Sequence, residues 1–269
     1  KVIIDTLKKF PETNKAIKIY LYEKSKFLKK IQKKKIDDKN VKWITNFNSI
    51  KKGPAFFFGN EFFDAIPIKQ YSNINNIFFE KCYDVKNEVD VNETFIRSNK
   101  RDIAQIKTFK TLKKLKFLEF PKKGFLELDP IIKKINKLSG GILLIDYGYL
   151  KSDNSNTLQA VMDNKKISME DVFNNPGKAD VTSLVNFNLL KEYFEQKKLK
   201  VKKIIFQKFF LERMGIIERA RILKKKMTNK QQKYMSDTLN RLLAENEMGK
   251  LFKVIFGYKN KNNDFFGFE

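Results

Sequence analysis

The chain has 269 residues, 42% of them hydrophobic and 32% charged, with a formal net charge of +25, a single cysteine and no histidine. That is length enough for one large α/β domain or two smaller ones around a hydrophobic core. Without histidine there can be no Ser-His-Asp or Cys-His centre, no His-ligated zinc and no imidazole proton shuttle, so carboxylates, Tyr, Lys, amides and a bound cofactor must carry any chemistry.

Cys82 alone excludes an internal disulfide framework and a multi-cysteine metal site; it reads as a packing residue in a reducing compartment, and no metal is expected. The positive charge is almost all lysine, with arginine only at Arg97, Arg101, Arg213, Arg219, Arg221 and Arg241. Arginine is the residue suited to base and phosphate forks, so the charge reads as solvated surface, with no specific nucleic acid as partner. No apolar run is long enough to cross a bilayer, so no membrane insertion is expected, and Lys1-Val2-Ile3-Ile4-Asp5 has neither an initiator Met nor a signal-peptide pattern, as expected for the inside of a longer protein.

Apolar residues at 3, 4, 7 and 10 predict a first helix closed by Pro11. Ala16 to Glu23 reads as a strand ending in an acid, with Ser25 placed to cap a helix through Phe27, Leu28 and Ile31. Val41–Phe47 and Ala55–Phe58 follow as strands, the latter a buried one. Strand, helix, strand, loop, strand is the rhythm of a parallel sheet with crossovers. From Ile68 to about Phe125 that rhythm stops: Ile68–Ile74 and Ile77–Val85 read as a hairpin around Asn75-Asn76, with a third segment Val91–Arg97 and a solvated lysine-rich run Lys107–Lys116. It resumes with a helix over Pro130–Leu138, then Gly140-Gly141, then Ile142–Gly148, whose continuous aliphatic character marks a strand buried on both faces. Beyond lie a polar loop Ser152–Asn156, a turn at Asn174–Gly177, a helix Phe187–Gln196, a strand Val201–Phe206, helices Phe209–Met214 and Met227–Leu243, and a last strand Met248–Tyr258.

In an open parallel sheet, ligands bind outside the carboxyl ends of the strands. Three predicted strands end in polar residues: Glu23; Asn60-Glu61 with Asp64; and Asp146-Tyr147-Gly148. These ends are expected to line one crevice, with Glu23 suited to accept both ribose hydroxyls of a nucleoside cofactor.

The segment Asn60-Glu61-Phe62-Phe63-Asp64-Ala65-Ile66-Pro67 resembles the signature of the MidA family, class I S-adenosylmethionine-dependent methyltransferases related to the mitochondrial complex I assembly arginine methyltransferase. Further motifs similar to that family follow in its order: Gly140-Gly141 leading to Ile145-Asp146-Tyr147-Gly148, Thr157–Val161, Pro176–Thr182, Gln207 with Phe210-Leu211 and Gly215-Ile216, and Met248–Val254.

The resemblance implies a Rossmann-like class I methyltransferase sheet, α/β and mostly parallel, with an inserted β-hairpin and helical subdomain. It divides the chain into a cofactor-side half over 1–67, the insertion over 68–125 and the second half over 126–269. Family members carry an acidic, glycine-rich first strand upstream of the first helix; no such glycine cluster occurs here, so that strand and loop are expected to be missing and the fragment to bind the cofactor poorly or not at all. The implied cofactor is S-adenosylmethionine, with Glu23 at the ribose, Thr45, Asn46 and Phe47 near the adenine and Asn60 beside the methyl group. Glu61, Asp64 and Asp146 are the implied catalytic carboxylates, Glu61 foremost, with Tyr147, Gln159, Asp180 and Thr182 on the substrate side. Members of the family have histidine near Ile44, Asn164 and Leu184 and Asp at Asn186, all absent here. The implied activity is protein arginine N-methylation of a respiratory complex I subunit or similar client, in a bacterial cytoplasm or, for a eukaryotic protein, a mitochondrial matrix. The alternatives are a non-catalytic assembly factor of the same fold and a nucleic-acid methyltransferase; the latter lacks the Asn/Asp-Pro-Pro-Tyr/Phe tetrapeptide of base methylation.

Overall fold

The computed structural model describes residues 2–86, 90–260 and 264–268. By its contacts the chain forms two compact units, Lys1–Gly53 and Pro54–Glu269, so the boundary expected at residue 67 falls inside the second.

The first unit is a strand-helix-strand element preceded by two short helices. Pro11 does not close the first helix, which spans Val2–Leu7; it opens a second, Pro11–Ala16, at the position where a missing N–H costs nothing. Strand β1 (Ile19–Tyr22) leads into the helix Lys26–Lys35, capped by Ser25, whose hydroxyl accepts the Leu28 N–H at 3.2 Å. Strand β2 (Val41–Ile44) then pairs parallel with β1, from Ile19 opposite Val41 to Tyr22 opposite Ile44. It stops short of the predicted Phe47, because Asn46 accepts the Asn48 N–H and starts a 3₁₀ turn over Phe47–Ser49.

Among the described residues the second unit holds three sheets. Its strands are β3 (Ala55–Asn60), β4 (Lys69–Ile74), β5 (Ile77–Lys86), β6 (Asp90–Arg97), β7 (Phe117–Phe120), β8 (Gly140–Tyr149), β9 (Gln159–Met162), β10 (Lys165–Ile167), β11 (Asp180–Thr182), β12 (Val185–Asn186), β13 (Lys200–Val201), β14 (Ile205–Phe206) and β15 (Phe252–Lys259). In the central sheet β3 and β12 pair parallel with β8, and β15 pairs antiparallel with β8, β13 and β14. Strand direction follows: β3, β8, β12, β13 and β14 run one way and β15 alone runs back, so the fold is α/β with a mostly parallel central sheet. The predicted strand Val201–Phe206 is two short runs, the chain leaving the ladder between β13 and β14.

The aliphatic run of β8 is central as read, with one face of β15 and the helices Lys122–Leu138 and Phe187–Gln196 packed in the same core. Helix Lys122–Leu138 starts eight residues before the predicted Pro130, which lies inside it. The proline removes the N–H owed to the carbonyl of Leu126, and Leu126 is 61% exposed, on the side where water can take the bond instead. The buried face of this helix, Phe125, Leu128, Ile132 and Ile135, repeats at helical spacing. Phe125 stacks on Tyr193 with ring centroids 3.9 Å apart, and Phe109 and Phe120 close the cluster. Burial of each such ring is worth about 1.5–3 kcal/mol.

Strand β3 is not buried as read: Phe56 and Phe58 are more than 60% exposed, and only the alternate residues face inward. The insertion is a four-stranded antiparallel sheet in the order β6-β5-β4-β7. Its hairpin turns on Asn75 and Asn76, both with positive φ, as a two-residue turn between twisted strands requires. The lysine-rich run contains buried Phe109 and Leu112 and is followed by β7, where the sequence reading named no strand.

Candidate functional site

The last residue of β3, Asn60, lies opposite Ile145 of β8, and the Glu61 N–H makes one more bond to the Ile145 carbonyl at 3.0 Å. Glu61 then takes a left-handed conformation (φ 47°), which turns the chain sharply off the sheet. Asp146, one residue on from Ile145, receives that turn: its Oδ2 accepts the backbone N–H groups of Phe62, Phe63 and Asp64 at 3.2, 2.8 and 3.3 Å. Its Oδ1 accepts the N–H of Tyr147 at 3.0 Å. β12 takes up pairing with β8 only at Gly148, so Asp146 and Tyr147 lie in register between the β3 and β12 pairings. The polar ending of an apolar strand therefore has a structural reason: a carboxylate on the next strand holds the turn by its backbone.

The turn buries its third residue. Asp64 is 6% exposed; its carbonyl accepts the Ser183 N–H at 3.1 Å, while its Oδ1 has no hydrogen-bond partner among the described residues. Asp146 is pushed up to about 7, first by burial and next by the charge of Asp64, against the opposing pull of the backbone N–H donors. The hydroxyl of Tyr147 is directed to Asp64 and Thr182, and burial with the adjoining carboxylate raises that phenol. Thr182 in turn accepts from the Gln159 side chain at 3.3 Å, and the two are register partners on β11 and β9. The structure thus joins Asp64, Asp146, Tyr147, Thr182 and Gln159 into one cluster. Glu61 stands outside it, exposed, its Oε1 accepting from Asn60 at 3.3 Å. Asp180 is exposed, two residues from Thr182 along β11.

Glu23, Thr45, Asn46 and Phe47 belong to the first unit. Tyr22 and Ile44 end the β1–β2 register, so Glu23 and Thr45 leave the same edge of the pair side by side. The Glu23 carboxylate accepts the Ser25 N–H at 2.8 Å and the Gln32 amide at 2.9 Å, and Gln32 in turn accepts from the Trp43 indole. A carboxylate offers about four acceptor positions, so two ribose hydroxyls can still be received there, and the donor and acceptor set at this edge fits a nucleoside. Phe47 is buried, its ring 4.8 Å from that of Tyr22.

Several neighbours went unread. Phe63 packs against Phe125 and over Gly124. Lys253, 8% exposed, gives its ammonium to the carbonyls of Gly148, Lys250 and Leu251. A small cavity beside the turn is lined by Phe63, Glu119, Phe125, Tyr149 and Asn186 among others. Glu119 there is filled by bonds from Gln70 and Thr157, and Tyr149 is raised to about 12 by burial and by Glu119. A buried Lys or Glu leaves no periodic sign in a sequence, and β7 and β15 are buried along almost their whole length, so no alternation marked Glu119 or Lys253.

A parallel α/β sheet with carboxylates gathered at its strand ends is the architecture of cofactor-dependent α/β enzymes. The profile of the family described as "Putative S-adenosyl-L-methionine-dependent methyltransferase" matches residues 1–205, and the chain belongs to that family, the MidA family indicated by its motifs. It is similar to the protein named "Protein arginine methyltransferase NDUFAF7 homolog, mitochondrial" of Caenorhabditis elegans, 29% identical over 231 residues, covering 80% of this chain and 50% of that protein. It is 26% identical over 243 residues to "Protein arginine methyltransferase NDUFAF7, mitochondrial" of Xenopus tropicalis, covering 90% and 55%. The chain spans about half the length of the curated relatives it matches. Among solved structures, it shares its fold with a Burkholderia thailandensis protein bound to S-adenosyl-homocysteine (TM-score 0.71, 18% identity, 94% of this chain and 65% of that one). A native structure from the same superfamily and organism gives TM-score 0.72 at 17% identity, covering 94% and 67%. Among the described residues no helix is long and apolar enough to cross a membrane.

Proposed function

We propose that this chain is the methyl-transferring part of an S-adenosylmethionine-dependent protein methyltransferase whose acceptor is an arginine side chain. The observation that carries the reading is the buried pair Asp64 and Asp146, with a carboxylate oxygen left unbonded at a strand end. A guanidinium is protonated at any cellular pH and must be oriented by carboxylates that also localise its charge. Tyr147, Thr182 and Gln159 form the polar wall on the acceptor side, Asp180 stands at its margin, and Asn60 and Glu61 sit where the strand turns. On the cofactor side, Glu23 receives the ribose, with Thr45, Asn46 and Phe47 at the adenine. S-adenosylmethionine supplies an activated methyl group, and positioning of acceptor and donor accounts for roughly 7–11 kcal/mol in well-oriented reactions of this kind.

The family description and the relatives' names, which read protein arginine methyltransferase and mitochondrial, support this reading; we further infer a respiratory complex I subunit as the client, in a mitochondrial matrix or a bacterial cytoplasm. The test is transfer of labelled methyl from S-adenosylmethionine to arginine-containing protein, read by amino-acid analysis of the product, with calorimetric titration of S-adenosyl-homocysteine alongside. Expected are methylarginine and saturable binding, both weakened by Glu23→Gln at the binding step and by Asp64→Asn at the transfer step. Saturable binding with no transfer to any arginine protein, and client docking unchanged in Asp64→Asn, would instead establish the assembly-factor reading.

A further inference from the structure

Helix Lys26–Lys35 of the first unit has six lysines in ten residues and no acid. Lys26, Lys30, Lys33 and Lys34 recur at i, i+4, i+7 and i+8, so they share one face, and all four are exposed. The other side of the helix is committed to the strands: half-buried Gln32 donates to Glu23 and accepts from the Trp43 indole of β2. Among the described residues none of the six lysines is in an ion pair; Lys33 lies over the Trp43 ring at 5.8 Å. The acids that flank the helix are Glu23, bonded to Ser25 and Gln32, Asp38, bonded to Lys8 and the Asn40 N–H, and exposed Asp37. Like charges four residues apart oppose a helix, as Lys26 with Lys30, Lys29 with Lys33 and Lys30 with Lys34 do here. A polyanion laid on this face removes that repulsion.

Phe27 selects among polyanions. It stands at the margin of the lysine face, three and seven positions before Lys30 and Lys34, and is 70% exposed; Leu28 beside it is 47% exposed. An aromatic ring flanked by ammonium groups matches the boundary layer of an anionic bilayer, where the cations meet headgroups and the ring meets acyl chains. The first arginine of the chain is Arg97, so the first unit lacks the planar fork that suits base edges and backbone phosphates, and a nucleic acid matches it less well. We propose that helix Lys26–Lys35 is a docking face for an anionic lipid bilayer. The helix lies along the surface, with Lys26, Lys30, Lys33 and Lys34 on headgroup phosphates and Phe27 at the acyl boundary. Ten residues are too few to cross a bilayer, so the attachment is peripheral. It is also reversible: each lysine raises partition about fivefold, and salt screens the contribution. The contact uses no residue of the Asp64–Asp146 cluster, so it goes beyond the methyltransferase reading and does not depend on it.

The test is flotation of the full chain with vesicles of phosphatidylcholine alone and with about one-third phosphatidylglycerol, at low and at physiological salt. Binding is expected to the anionic vesicles and not to the neutral ones, and to weaken as salt rises. Lys26→Gln, Lys30→Gln, Lys33→Gln and Lys34→Gln together should lower partition about 100-fold or more. Phe27→Ala alone should lower it about tenfold. Lys225→Gln, Lys226→Gln, Lys230→Gln and Lys233→Gln together make the same change of charge elsewhere and should lower it no more than about threefold. Equal losses in the two fourfold variants, or equal binding to both kinds of vesicle, overturn the proposal. So does an unchanged partition in Phe27→Ala, or polyuridine held more tightly than vesicles at equal phosphate concentration through the same four lysines. If the first fourfold variant does not fold, hydrogen exchange of the wild type decides. Anionic vesicles should then slow exchange in Lys26–Lys35 and leave the helix Asn229–Leu243 unchanged; no slowing in Lys26–Lys35 overturns the assignment.

Discussion

Asp146 and Lys253 stand directly opposite each other on β8 and β15 and do not pair. The carboxylate serves the turn after β3, and the ammonium serves the Gly148, Lys250 and Leu251 carbonyls. Opposite charges at a cross-strand position would ordinarily neutralise each other. Their separation leaves Asp146 free to sense Asp64, and it leaves Lys253, lowered chiefly by its burial, as a clip between the end of β8 and the short helix Met248–Leu251.

Lys253→Met keeps the apolar stem and removes the donors. Bonds from a charged donor are worth about 1.5–3 kcal/mol each, but methionine relieves a buried charge, so a net loss of about 2 kcal/mol is expected. Urea unfolding should show an earlier midpoint at unchanged slope. A variant as stable as the wild type would mean that the ammonium is not a clip.

The raised Asp146 predicts a pH dependence of definite sign. Between its ordinary value of 3.8 and about 7, the native state holds a proton that the unfolded chain has lost. Stability from this group is therefore full at acid pH and declines as pH rises through about 7, by at most about 4 kcal/mol for the whole shift. Asp64→Asn removes the like charge and should flatten the decline. Urea melts at intervals between pH 4 and 8 measure both slopes; a steeper decline in the variant would contradict the coupling.

Asp102 behaves oppositely. It is fully buried, and its oxygens accept from Lys69, Tyr71, Asn99 and Lys122, which together hold it far below the usual carboxylate range despite the burial that opposes them. Stability from this group is present above 3.8 and is lost as pH falls below it. Asp102→Ala leaves Lys69 with Glu80 as its remaining partner and Lys122 part-exposed, and it strands the Tyr71 hydroxyl, so a cost of about 1–3 kcal/mol is expected. In wild-type acid titrations this network, with β4 and the helix Lys100–Lys107 it joins, should loosen at low pH; hydrogen exchange of β4 reports it.

How much of this was legible in the sequence depended on the kind of signal. The helix Phe187–Gln196, with Asn186 as its cap, the Asn75-Asn76 hairpin and the aliphatic β8 announce themselves by period and by turn chemistry. Short edge elements do not: β9, β10 and β11 are three or four residues each, below the length at which alternation is readable, and they carry Gln159 and Thr182 into the site. Proline misled twice, since it both opens helices, as at Pro11, and is tolerated within them where the orphaned carbonyl faces water, as at Pro130. In the site, residue types pointed to Asp64, Asp146 and Tyr147, but their roles did not follow. Glu61 is the nearer acid to the strand tip in the sequence, yet its left-handed backbone turns it to solvent and delivers Asp64 to the interior three residues later.

Gly124 gives the sharpest test that the turn is held by packing as well as by Asp146. A Cβ at this position would lie 2.5 Å from Cζ of Phe63, a ring that is 5% exposed and wedged against Phe125. The ring cannot rotate clear within a close-packed core, so Gly124→Ala must push Phe63, and with it the Phe62–Asp64 backbone, away from Asp146 Oδ2. Overpacking of this size costs about 1–3 kcal/mol. On the proposed function, the loss in methyl transfer at temperatures well below unfolding should exceed what that destabilisation explains, because misplacing a reacting group by about 1 Å can cost about 100-fold. Phe63→Leu in the same chain makes room for the added methyl group, so the double variant should recover both stability and transfer relative to Gly124→Ala, a non-additive result that residues in contact give and distant ones do not. Additive losses in the double variant would show that Phe63 does not transmit the change to the Asp64 turn.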